Sequence, residues 1–300
     1  RKSLSQKFIQ SISVILRVFW ILIRQLKYDP WGFFKTIFKI NDKKTVETSE
    51  LKNTGYEISK ISIISLLEIK KILNPLIEKH KKNSIENNVN DFDKTISILN
   101  KHDLFKLKGV LLSDDNFIKG LKSISKYKSL KKLPKVNKIT LQCISASDGY
   151  AKERVLRQNE FPCEYMHRDA VIGQIKILMY LTDVKNESNG PTGFCKKSHL
   201  GGKPNLNSYV GGAVDNLGLF FRDEKTKQKF ISLPKMLQIK SDFGSDIPKN
   251  SPLSNFLLSN EEKIIGDAGT IIVFDPLGIH RGGIVTDGTR ETLQISIALK

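Results

Sequence analysis

The chain has 300 residues, 39% of them hydrophobic and 27% charged, with a formal net charge of +18 at neutral pH. That is enough chain for one or two globular domains with a full core. Its three cysteines, Cys143, Cys163 and Cys195, stand singly with no C-x-x-C, which suggests neither a zinc ribbon nor a disulfide framework and favours a reducing, cytoplasmic setting. The basic excess belongs to one half: residues 1–140 hold 29 Lys and Arg against 13 Asp and Glu, and residues 141–300 hold 20 against 18. The second half has no arginine-rich or aromatic-interleaved stripe of the kind that binds a strand, so nucleic acid is not an expected partner. The lysines of the first half read as solvated helix faces, or as a contact with an anionic partner or membrane.

In chain order, residues 8–26 come first. FIQSISVILRVFWILIRQL is the most hydrophobic stretch, with Phe8, Ile12, Ile15, Phe19, Leu22 and Leu26 at helical spacing. Arg17 and Arg24 would each be costly at the centre of a bilayer, which argues against a spanning helix. No short apolar core followed by a small-residue cleavage site marks a secretory signal. Three readings stay open: a helix docked on the core, an interfacial helix making peripheral contact with anionic lipid, or a targeting segment. The segment KYDPWGFFKTIFKINDKK then reads as a turn and a short amphipathic helix, and residues 41–53 as a polar linker. From Ile58 to about Lys132 the pattern is helical, with a first helix ending near Asn74-Pro75 and a loop at HKKNSIENNVND. His80 and His102 have no acid or histidine at ligand spacing and read as surface residues.

Beyond Lys138 the pattern changes to strands: KITLQCISAS, QIKILMYLTDV, GTIIVFD and ETLQISIAL. This many strands suit a double-stranded β-helix, a cupin-like jelly roll. The organisation expected is therefore a basic amphipathic segment over residues 1–50, a helical region over 51–138 packing on the barrel, and a β core over 139–300. A Gly-, Asn-, Ser- and Pro-rich insertion at about 201–262 interrupts that core and reads as a lid or substrate-binding segment. Within it Tyr209, Phe220, Phe221 and Arg222 either line the substrate side or pack the insertion down.

The chemistry lies in EYMHRDAVIGQIKILMYLTDV and VFDPLGIHRGG. In extended chain the side-chain period is two, so His167 and Asp169 point the same way and Arg168 away. With His280, which follows a strong strand signal, they make two histidines and a carboxylate. That set covers one face of an octahedral iron(II) and leaves the other positions open. Ten residues on, Arg290 begins a strand whose one face reads Arg290, Thr292, Gln294, Ser296 and whose other is apolar. An arginine there suits a carboxylate through a two-pronged, charge-assisted contact. On the strand after the H-x-D, Lys176 shares a face with Gln174, Leu178 and Tyr180; it binds a cosubstrate or substrate carboxylate, or pairs with an acid. Arg281 rivals Arg290 but should face away from a metal held by its neighbour.

The H-x-D, the distal histidine after G-D-x-G-T-I-I-V-F-D and the arginine ten residues later resemble the iron(II)- and 2-oxoglutarate-dependent dioxygenases, most closely the phytanoyl-CoA dioxygenase-like branch. That branch also carries N-G-P and, further on, P-G-S-H. Here Asn189-Gly190-Pro191 and Ser198-His199 match, while Lys196-Lys197 replace Pro-Gly. The resemblance spans roughly residues 139–300. It implies iron held by His167, Asp169 and His280, and 2-oxoglutarate held by Arg290 with help from Thr292 and a contribution from Lys176. Halogenating relatives lack the carboxylate, so Asp169 implies oxygenation. The implied reaction uses O2 and 2-oxoglutarate, releases succinate and CO2, and hydroxylates an unactivated carbon of a small or lipid-like molecule. Two rival readings are a catalytically silent metal-binding barrel and a membrane- or glycan-associated tailoring oxygenase. Neither the substrate nor the oligomeric state is written in any motif.

Overall fold

The computed structural model describes residues 4–28, 50–87, 95–96, 101–127, 130, 132–146, 155–156, 162–163, 166–167, 174–201, 250, 252–276 and 278–298. Its helices are α1 (Leu4–Tyr28), α2 (Glu50–Thr54), α3 (Ile63–Asn87), α4 (Lys101–Ser113), α5 (Asp115–Tyr127), α6 (Ser198–Gly201) and α7 (Pro252–Asn260). Its strands are β1 (Tyr56–Lys60), β2 (Thr95–Ile96), β3 (Lys135–Ser145), β4 (Gln174–Tyr180), β5 (Thr192–Cys195), β6 (Glu261–Ile264), β7 (Thr270–Phe274), β8 (His280–Arg281) and β9 (Thr289–Ala298).

The strands form two antiparallel sheets, one of six strands in the order β1-β7-β4-β9-β3-β2 and one of three in the order β6-β5-β8. From β4 onward the chain passes back and forth between them: β4 in the large sheet, β5 and β6 in the small, β7 large, β8 small, β9 large. Alternation along each strand decides what each face of the large sheet meets. On one face Ile175, Ile177 and Met179 of β4, Ile271 and Val273 of β7, and Leu293, Ile295 and Ile297 of β9 are buried against Ile69 and Leu73 of α3, Leu107 and Leu111 of α4, and Phe117 and Leu121 of α5. On the other face Leu178, Tyr180, Ile272 and Phe274 close on Phe194 and Ile264 of the small sheet. Each such side chain stabilises the fold by about 1.5–3 kcal/mol on full burial, so both faces are committed and the register of β4 is fixed.

One carboxylate ties the helical layer together. Asp114, buried, precedes α5 and accepts from the Phe117 amide at 2.9 Å, the N-cap bond that satisfies an orphan donor of the first turn. Its other oxygen accepts from the Ser62 amide at 2.9 Å, and Ser62 caps α3 by accepting from the Ser65 amide at 3.2 Å. Burial pushes the Asp114 carboxyl up, but the Phe117 amide, the Ser62 hydroxyl and amide and the Ser65 hydroxyl outweigh it and hold its pKa below the ordinary aspartate value.

Several expectations change. The region after Ile58 is not uniformly helical, because Tyr56–Lys60 pairs along its length with β7 as the edge of the large sheet. The first long helix does not stop near Pro75; it continues to Asn87 with Pro75 inside, giving up the one hydrogen bond proline cannot donate. Ile77, buried beyond the proline, keeps the continuation against the core. Of the expected insertion, residues 252–264 form α7 and β6, so its end belongs to the small sheet. Residues 29–49 and 202–249, and with them Tyr209, Phe220, Phe221 and Arg222, lie outside the described residues. Among the described residues no helix is long and apolar enough to cross a membrane.

Candidate metal centre

His167 and His280 are 113 positions apart and lie directly opposite one another. An isolated antiparallel bridge joins them, with the His167 amide donating to the His280 carbonyl and the His280 amide to the His167 carbonyl, both at 2.9 Å. Residues so paired project their side chains to the same side. The rings accordingly sit with centroids 4.3 Å apart and planes inclined at 47°. Two imidazoles on adjacent positions of one octahedral ion, with bonds of about 2.1 Å, bring their ring centres to about 4.5 Å. The spacing therefore fits a shared metal.

The ring of His280 is held in one orientation. Its Nδ1 lies 2.9 Å from the Gly278 carbonyl oxygen, which can only accept, so Nδ1 carries a proton and the lone pair of the neutral ring is on Nε2. A backbone carbonyl behind one ring nitrogen is the arrangement that fixes the ligating tautomer of a metal-bound histidine. Phe274 packs against the ring at 4.9 Å between centroids, and Phe194, which pairs with His280 across β5 and β8, stacks nearly parallel at 6.4 Å. Gly278 must be glycine for this packing, since a Cβ there would overlap the Phe194 ring. His280 is buried and His167 half-buried. Asp169 lies outside the described residues, and among the described residues no three His, Cys, Asp or Glu side chains are grouped to hold a metal.

Arg290 and Thr292 are both buried on the inward face of β9. Thr292 stands opposite Tyr180 of β4 and Gln142 of β3, and Arg290 opposite Ile144. Nη1 of Arg290 donates to the Gly190 carbonyl and, at 3.3 Å, to the Gly283 carbonyl, which fixes the guanidinium plane. Gly190 has φ +70°, a left-handed value, and a Cβ there would come within 2.8 Å of a Val285 methyl. The positive charge reaches Tyr180, whose hydroxyl donates to the Ile264 carbonyl at 2.8 Å and accepts from the Thr192 amide at 2.9 Å. Burial raises the Tyr180 pKa, partly offset by the Thr192 donors and by Arg290. Lys176, half-buried, is in register with Phe274 on one side and Ser296 on the other, so it shares the face that meets the His280 side of the molecule.

Arg281 is occupied elsewhere. Its Nε and Nη2 each donate to the Glu261 carboxylate at 2.6 Å, its Nη1 donates to the Pro162 carbonyl at 2.7 Å, and the paired side chains are 6% and 4% exposed. The pair spans from β8 to β6 over Gly193 of the central strand. His199 is likewise apart from the histidine pair: it is buried, and its Nε2 donates to the Lys52 carbonyl at 3.0 Å. Its neighbour Ser198 accepts from the Ile279 amide at 2.7 Å, immediately before His280. Sequence reasoning did not reach Phe194, Phe274, Ser198 or the Gly190 carbonyl as supports of the site. The available signal was the N-G-P…S-H pattern, whose two ends act on Arg290 and on the strand of His280. Lys197 takes φ 62° and donates its amide to the Thr54 carbonyl at 2.8 Å.

No family model and no curated protein sequence matches the chain. Among solved structures, AviO1 from Streptomyces viridochromogenes is similar at 12% identity and a TM-score of 0.45, over 85% of this chain and 96% of that one. HygX from Streptomyces hygroscopicus with iron bound gives 9% identity and a TM-score of 0.45, over 83% of each chain. The same protein with nickel and 2-oxoglutarate bound gives 11% and 0.43, over 83% and 84%.

Proposed function

We propose that the chain is an iron(II)- and 2-oxoglutarate-dependent dioxygenase of the phytanoyl-CoA dioxygenase-like type, hydroxylating an unactivated carbon of a small or lipid-like molecule. The observation that carries the reading is the His167–His280 pair, in backbone register with rings 4.3 Å apart and the His280 tautomer fixed by the Gly278 carbonyl. Asp169 completes the ligand set in this reading, being two positions from His167 in the sequence. The fold in this reading is a double-stranded β-helix, supported by the regular exchange of strands between sheets and by His167 extending the small sheet beyond β8.

The iron, when bound, supplies the activation of oxygen coupled to decarboxylation of 2-oxoglutarate, chemistry no side chain performs alone. The chain's own work is placement. Gly278 holds the His280 proton on Nδ1, and Phe194 and Phe274 exclude water from that ring's flanks. Gly190 and Gly283 orient Arg290, which together with Thr292 takes the distal carboxylate of 2-oxoglutarate; Lys176 faces the same space and takes a cosubstrate or substrate carboxylate. The test is succinate formation from 2-oxoglutarate under air with added iron(II). Turnover should require iron and disappear in His280→Ala. Stoichiometric iron binding with no succinate in the presence of any extract of small molecules or lipids would favour a silent metal-binding barrel.

A further inference from the structure

We propose that α1 is a membrane-surface anchor, lying in the plane of an anionic bilayer with its apolar face in the acyl boundary. Nine large apolar side chains on this one helix, from Phe8 to Leu26, are between 40% and 67% exposed. At 100° per residue they fall within an arc of about 140°. Val14, 1% exposed, lies on the opposite side, so the helix packs through a narrow seam and turns its apolar face outward. A helix whose apolar face served the core would show the reverse.

Charge selects the occupant. The 25 residues of α1 include Lys7, Arg17, Arg24 and Lys27 and no Asp or Glu. Arg17 stacks over the Trp20 ring at 5.3 Å, pairing a cation with an amphipathic aromatic at the border of the apolar arc. Residues 1–140 extend the same sign, with 29 basic against 13 acidic residues. A second copy of the chain would bring like charges together, whereas an anionic lipid surface neutralises them and receives the apolar arc. No spanning is implied, since no described helix is long and apolar enough. The proposal stands independently of the histidine pair.

The test uses the full chain in flotation with phosphatidylcholine vesicles, with and without about a third phosphatidylserine. The wild type should float with the anionic vesicles and be released by high salt. Ile15→Glu/Phe19→Glu alters two exposed positions and should lower the partition coefficient by roughly tenfold or more while leaving the unfolding midpoint unchanged. The protein has two tryptophans, so in Trp31→Phe the remaining Trp20 should be quenched by brominated lipid. Absence of flotation, equal flotation of the double variant, or an unquenched Trp20 would overturn the proposal. So would a lipid-free dimer in sedimentation velocity that the double variant dissolves, which would make a second copy the occupant.

Discussion

At φ 62°, Lys197 holds a backbone conformation that crowds an L side chain against its own carbonyl, and the side chain is exposed. Lys197→Gly removes that strain and should raise stability by about 0.5–1 kcal/mol, the gain being reduced by the extra freedom of glycine when unfolded. A urea midpoint at or below the wild-type value would show that the turn carries no strain. Arg290→Ala should raise the 2-oxoglutarate concentration needed for half-maximal turnover, by the loss of a charge-assisted pair of about 2 kcal/mol or more. An unchanged requirement would move the cosubstrate away from Arg290. The histidines and Arg290 were legible as candidates because their residue types limit their chemistry. The Gly190 and Gly278 carbonyls that orient them were not, because a main-chain oxygen leaves no mark on the sequence.

The long alternating strands were readable and the short ones were not. β4 and β9 run seven and ten residues, long enough for the apolar set of one face (Ile175, Ile177 and Met179; Leu293, Ile295 and Ile297) to stand out from the more mixed opposite face. β5, β6 and β8 have four, four and two residues, too few for a period, and they sit beside glycines and lysines that read as loop. β1 was hidden because it lies between a stretch that reads as polar linker and a helical spacing that already begins at Ile58, within the strand. In the helical layer, Asp114→Ala removes the cap of α5 and the acceptor of the Ser62 amide, and should cost about 1–2 kcal/mol. Because the native Asp114 carboxyl titrates below its ordinary value, its contribution is complete above that value and is lost as the pH falls through the lowered one. The stability difference between wild type and Asp114→Asn, followed by urea unfolding, should therefore shrink on acidification below about pH 4. A difference constant with pH would assign the role to shape rather than charge.

Across the whole molecule, the two sheets are joined less by their edges than by what lies between and over them. The small sheet is braced on its outer face by the buried Glu261–Arg281 pair, which links its two outer strands across β5. Glu261→Ala leaves Arg281 charged and buried and should cost about 3–5 kcal/mol, with loss of iron binding because β8 carries His280. Glu261→Ala with native stability and metal affinity would show that β8 is held by its strand pairing alone. The pairing of His167 with His280 across 113 positions is the whole-molecule property on which the functional reading depends. The sequence alone contained the two residues and a resemblance, but not their register.

The most direct measurement is oxygen consumption matched to succinate release by the iron(II)-loaded full chain supplied with 2-oxoglutarate. Release should be stoichiometric, depend on iron and be abolished in both His167→Ala and His280→Ala, each of which should also lose iron in equilibrium dialysis. Iron retained by either variant, or equal succinate release from variant and wild type, would contradict it.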